Sequence, residues 1–87
     1  MGATKDQQFV KVPDDLERRE WVLLEWLVGE GEQARSGEPL AVVLASSGSV
    51  VISSPYDGTV LEHWIGEGAR VEAGQRLALL EVLRDRL

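Results

Sequence analysis

Apolar and polar positions follow one pattern twice along this chain. Residues 24–45 return thirty-seven positions later, without a gap, as residues 61–82. In register, Leu24-Glu25-Trp26-Leu27-Val28-Gly29-Glu30-Gly31 faces Leu61-Glu62-His63-Trp64-Ile65-Gly66-Glu67-Gly68, and Gly37-Glu38-Pro39-Leu40-Ala41 faces Gly74-Gln75-Arg76-Leu77-Ala78. Each copy reads as an apolar stretch, a Gly-Glu-Gly turn, a short polar stretch, a Gly-led turn and a second apolar stretch. One such unit cannot cover its own hydrophobic face, so two copies packed together are the expected solution. The pattern predicts a small all-β sandwich with approximate twofold symmetry.

The apolar runs at 21–28, 40–45, 50–53 and 59–65 end at Gly or Ser, and these and the run 77–83 are short for helices, which favours strands. A further strand is expected at 8–12, stopped by Pro13, which cannot donate to a ladder. Ser46-Ser47-Gly48-Ser49 has the composition of a hairpin tip, and Ser54-Pro55-Tyr56-Asp57-Gly58 that of a reversal. The unbroken runs 41–44 and 77–80 predict strands covered on both faces. Val22, Leu24, Leu40, Val60, Val71 and Leu77 are the expected core. Residues 8–83 then form the domain, with 1–7 a flexible N-terminus, 14–20 a solvated connection and 84–87 a short tail.

Composition narrows the chemistry. Eighty-seven residues make one domain, able to bury roughly 60–65% of its unfolded surface. The absence of cysteine excludes disulfides, thiolate metal sites and cysteine nucleophiles. A net charge of −6 disfavours nucleic acid, whose binding rests on Lys and Arg neutralising phosphates, and leaves a basic protein surface as a partner. No apolar run reaches the roughly 20 residues of a membrane span and no apolar signal core begins the chain, so no membrane partner and a cytoplasmic location are expected. Met1-Gly2 opens like a myristoylation site, but Asp6 stands where Ser or Thr is required.

No residue set reads as catalytic or metal-binding. His63 is the only histidine and holds the repeat position of Trp26, which favours packing over acid–base work. Ser46, Ser47 and Ser49 have no nearby base. Gly29-Glu30-Gly31-Glu32-Gln33-Ala34 fits the dinucleotide fingerprint on paper, yet two Glu would repel pyrophosphate and no helix follows, so it reads as a turn. Glu30 and Glu67 are equivalent turn residues on different edges. Trp21, Trp26 and Trp64 are expected in the core, the alternative being one exposed for a partner.

The ordered set Val10-Lys11-Val12-Pro13, Trp26-Leu27-Val28-Gly29-Glu30-Gly31, Gly37 with Leu40, Ser54-Pro55 with Gly58 and Val60, Gly66-Glu67-Gly68, Val71, and Gly74 with Leu77 resembles the biotinyl and lipoyl carrier domains, above all the lipoyl domains of 2-oxo-acid dehydrogenase acyltransferases. The resemblance covers nearly all of 8–83. It implies a flattened β-barrel, a barrel-sandwich hybrid, of two four-stranded sheets about a quasi-twofold axis. It also implies a lysine at the hairpin between the copies, carrying lipoate or biotin. At family spacing from Pro55 that position is Ser47, with Ser46 and Gly48 beside it, and the only lysines are Lys5 and Lys11. The expectation is a non-enzymatic, unmodified domain with no cofactor and a degenerate modification hairpin at Ser46, Ser47 and Gly48. Such a domain would dock onto a partner enzyme of a multienzyme or acyl-transfer system. The alternative is a carrier with a group attached elsewhere, for example an acyl group or phosphopantetheine on Ser47.

Overall fold

The computed structural model describes residues 3–85 and, within them, the side chains of 6–82. It contains eight strands and, among the described residues, no helix: β1 (Ala3–Lys11), β2 (Trp21–Trp26), β3 (Gln33–Ala34), β4 (Pro39–Ala45), β5 (Gly48–Ser53), β6 (Gly58–His63), β7 (Arg70–Val71) and β8 (Arg76–Asp85). They form two four-stranded antiparallel sheets, β1-β8-β6-β3 (the terminal sheet) and β5-β4-β2-β7 (the hairpin sheet). The two orders are one order under the repeat, which exchanges β2 with β6, β3 with β7 and β4 with β8. The flattened barrel-sandwich architecture is the one expected.

The symmetry extends to single hydrogen bonds. Gly31 N–H donates to the Val60 carbonyl at 2.7 Å, and Gly68 N–H to the Leu23 carbonyl at 2.7 Å. Val60 and Leu23 in turn donate to the carbonyls of Glu32 and Ala69, both at 2.9 Å. Each copy sends its polar stretch across to the other copy's sheet: β3 of the first copy pairs with β6, and β7 of the second pairs with β2. These two-residue strands are absent from the sequence reading because so short a polar segment carries no periodicity. They interlock the copies, so neither half completes a sheet alone.

Both copies also carry a β-bulge at the same place, between Leu23 and Glu25 on β2 and between Val60 and Glu62 on β6. The extra residue shifts the alternation, which corrects the expected core. Leu23 is fully buried while Leu24 is about half exposed at 49%. Val22 is only half-buried, because its neighbours Trp21 and Leu23 face inward. Leu40, Val60, Val71 and Leu77 lie in the core with Val10, Val12, Val43, Ile52 and Leu80.

Double coverage of 41–44 and 77–80 does not hold. Ala41 and Val43 are buried, whereas Leu44 is 41% exposed. Leu79 is half-buried between buried Ala78 and Leu80. Consecutive apolar residues arise because the outer face is itself partly apolar.

β1 starts five residues earlier than expected and β8 reaches Asp85, with Ala3↔Asp85 the first pair of their ladder. The repeat explains this. Ala45↔Gly48, the last pair before the β4–β5 turn, corresponds to Asp6↔Val82, where the chain continues for three more pairs instead of turning. Ladder bonds come from the main chain, so the polar sequence before Gln8 concealed the strand. Residues 1, 2, 86 and 87 of the expected flexible ends lie outside the described residues. No helix among the described residues is long and apolar enough to cross a membrane.

Candidate functional site

Ser46 and Ser47 form the two-residue tip of the β4–β5 hairpin, closed by the pair Ala45↔Gly48. Among the described residues no non-glycine residue has positive φ, which rules out the primed turns favoured at such tips, since both require a positive angle at the first turn residue. The unusual conformation falls instead on Gly48, at φ 142. Ser46, Ser47, Gly48 and Ser49 are all exposed, and no hydrogen bond of their side chains occurs among the described residues. The tip is open to an approaching enzyme or partner. It presents hydroxyls and no amine.

Beside the tip runs a shallow groove with a floor of Val22, Leu44 and Ala45 and a rim that includes Arg18, Arg19 and Arg70. Arg18 and Arg19 come from the long connection between β1 and β2, and Arg70 from β7. Leu16 packs against the core, and Trp21 Nε1 donates to the Glu17 carbonyl at 2.9 Å, which ties this charged loop down. Two ion pairs, Arg19–Glu17 at 2.7 Å and Arg70–Glu20 at 2.8 Å, are exposed and contribute little to stability.

His63 is placed in packing, stacked on its repeat mate. The Trp26 and His63 rings lie 3.8 Å apart, 4° from parallel. Trp26 Nε1 donates to the Ile65 carbonyl at 2.9 Å and His63 Nε2 to the Val28 carbonyl at 2.9 Å, two bonds exchanged by the symmetry. Glu67 accepts from Trp26 N–H at 2.9 Å and Glu30 from His63 N–H at 2.7 Å. Two residues expected only in turns thus bind across the copies at the axis. The signal was in the register of the repeat, which sets Trp26 opposite His63 and Glu30 opposite Glu67; residues near a twofold axis meet their own mates. With both ring and carboxylates committed to the scaffold, the arrangement offers no nucleophile–base pair.

The segment 29–34 is the Gly-Glu-Gly turn followed by β3, with Gly31 at φ 86, so it opens no helix. Trp21 is buried, Trp26 is partly buried against the core and Trp64 is 45% exposed. No cluster of metal-ligating residues exists among the described residues.

The profile of the biotin/lipoyl family, described as biotin-requiring enzyme, matches residues 8–80. The chain belongs to this biotin/lipoyl family. A similar relative is the dihydrolipoyllysine-residue acetyltransferase component of the pyruvate dehydrogenase complex of Acholeplasma laidlawii, 28% identical over 79 residues. The alignment covers 91% of this chain and 14% of that protein, so the chain spans only a small part of the relative's length.

Proposed function

We propose that this carrier-type domain bears no group on a lysine and works as a docking or structural module for a partner enzyme of a multienzyme or acyl-transfer system. The observation that carries the reading is the hairpin tip. Amide attachment of lipoate or biotin needs a primary amine on a long arm, and the tip holds Ser46 and Ser47. Lys5 and Lys11 both belong to β1, where they pair with Leu83 and Arg76. The relative's name supports an enzyme complex as the setting.

Intact mass after co-expression with a lipoate or biotin ligase is the test. The unaltered chain keeps its sequence mass, whereas a variant with Ser46→Asp and Ser47→Lys gains the lipoyl group. Gly48 is retained in that variant, because a side chain at its backbone angle would be strained. Modification of the unaltered chain at Lys11 would defeat the reading. A mass gain abolished by Ser47→Ala would favour attachment of an acyl or phosphopantetheine group to that hydroxyl.

A further inference from the structure

The repeat supplies an internal control for the outer faces of the two sheets. Val22, Leu27, Val42, Leu44 and Val51 face outward on the hairpin sheet, and their mates on the terminal sheet are Thr59, Trp64, Leu79, Glu81 and Phe9. The terminal face is closed over. Trp64 reaches across β8 to meet Phe9 edge-on at 5.0 Å and donates from Nε1 to Glu62 at 2.8 Å. Arg76 covers the Phe9 ring at 4.3 Å. Thr59 and Glu81 make the rest of that face polar.

The same backbone on the other side carries only aliphatic residues at these positions, of which Val22 and Val42 are half-buried and the other three exposed. Leu27 is 45%, Leu44 41% and Val51 50% exposed. With Leu24, they are four of the five large hydrophobic residues exposed among the described residues. A contiguous exposed apolar patch on a sheet face marks an interaction site.

The charges on this face point to its occupant. Two ladder rows cross it: Ser49, Leu44, Val22 and Arg70 in one, Val51, Val42 and Glu25 in the next. Arg70, with Arg18 and Arg19 beyond it, marks one end of the patch; Arg70 meets Glu20 there at 2.8 Å, a solvent-exposed pair that holds it only weakly, and exposed Glu25 marks the other end. An in-plane twofold axis across the strands, between the rows, brings Leu44 of one copy onto Val42 of the other. It also brings Arg70 of each within reach of Glu25 of the other. Such a face is complementary to itself, as an isologous interface requires.

We infer that the outer face of the hairpin sheet is a homodimer interface, occupied by a second copy of this chain. A patch on one sheet of a small domain lies at the low end of interface sizes, so the dimer is weak and concentration-dependent. The inference is independent of whether the hairpin tip carries a group.

Sedimentation equilibrium of the full chain from micromolar to millimolar concentration tests it. The weight-average mass rises toward twice the chain mass, and concentration-dependent amide shifts in NMR cluster on β2, β4 and β5. Leu44→Glu and, separately, Val51→Lys abolish the rise; both sites are half exposed, so the variants fold, as amide dispersion checks. Gln7→Glu changes charge as Leu44→Glu does but lies on the terminal sheet, and it leaves association intact. Arg70→Glu weakens association at least several-fold, and adding Glu25→Arg restores it. A chain that stays monomeric at millimolar concentration overturns the inference and leaves the face to a partner of other sequence. Association that survives Leu44→Glu overturns it as well.

Discussion

The two copies agree where they meet and differ where they face outward. At the axis and in the turns they share bonds and bulges: Trp26 stacks on His63, Glu30 and Glu67 cap each other's strands, and Gly31 and Gly68 hold φ values of 86 and 91. Away from it the same backbone is used in two ways. Copy one ends in a closed hairpin tip at Ser46 and Ser47, while the matching end of copy two opens into the β1–β8 ribbon. The reversal at Pro55 takes two residues to reach Gly58, whereas the equivalent connection from Pro13 takes seven to reach Trp21 and builds the charged rim beside the tip. Positions that close the barrel are held in common because a change there must be absorbed by both sheets. Exposed positions are free to acquire separate roles.

The largest test of this comparison is truncation of mated core residues. Leu40 and Leu77 are exposed by 1% and 0% respectively. Leu40→Ala and Leu77→Ala should each cost about 2–5 kcal/mol, a large part of the whole margin of a small domain. Urea unfolding followed by tryptophan fluorescence should give two closely similar losses. A loss at one site alone would show that the copies do not share the core equally.

Next comes Gly58, where copies differ. An added Cβ would collide with the Glu81 carbonyl oxygen, which is fixed by the ladder, while the mated position in copy one is Trp21. Gly58→Ala should destabilise by about 1–3 kcal/mol in the same assay. A neutral result would mean that β6 and β8 are not so closely packed there.

Smaller effects sharpen the account of the axis. Glu30→Ala and Glu67→Ala each remove one exposed carboxylate-to-backbone bond and should cost about 1 kcal/mol. The double substitution should depart from the sum of the single ones, because both bonds support one stacked pair. Strict additivity would show that the two ends of the stack are independent. At the bottom of the scale, Ser47→Ala should change stability by less than about 0.5 kcal/mol, since its hydroxyl is exposed and makes no hydrogen bond among the described residues. Its near-neutrality, set against Leu40→Ala, measures how far the tip is uncoupled from the barrel.

Sequence alone determined the repeat, the all-β class, the turn positions, the place of the hairpin between the copies and the absence of a lysine there. These are legible because turn chemistry and apolar runs act locally: Gly31, Gly37, Gly68 and Gly74 announce backbone angles that other residues resist. The tertiary structure decided what depends on distant partners. The bulges put Leu23 inside and Leu24 outside, because the offset in register is set by the opposing strand. The strands β3 and β7 exist only because each finds an edge in the other copy's sheet, and the polar half of β1 only because β8 lies beside it. Which residues of an apolar run are buried depends on which face the closed pair of sheets turns inward, so Leu44 is open to solvent while Val43 and its repeat mate Leu80 are fully buried. Local residue types carry no record of that neighbour; only the closed pair of sheets does.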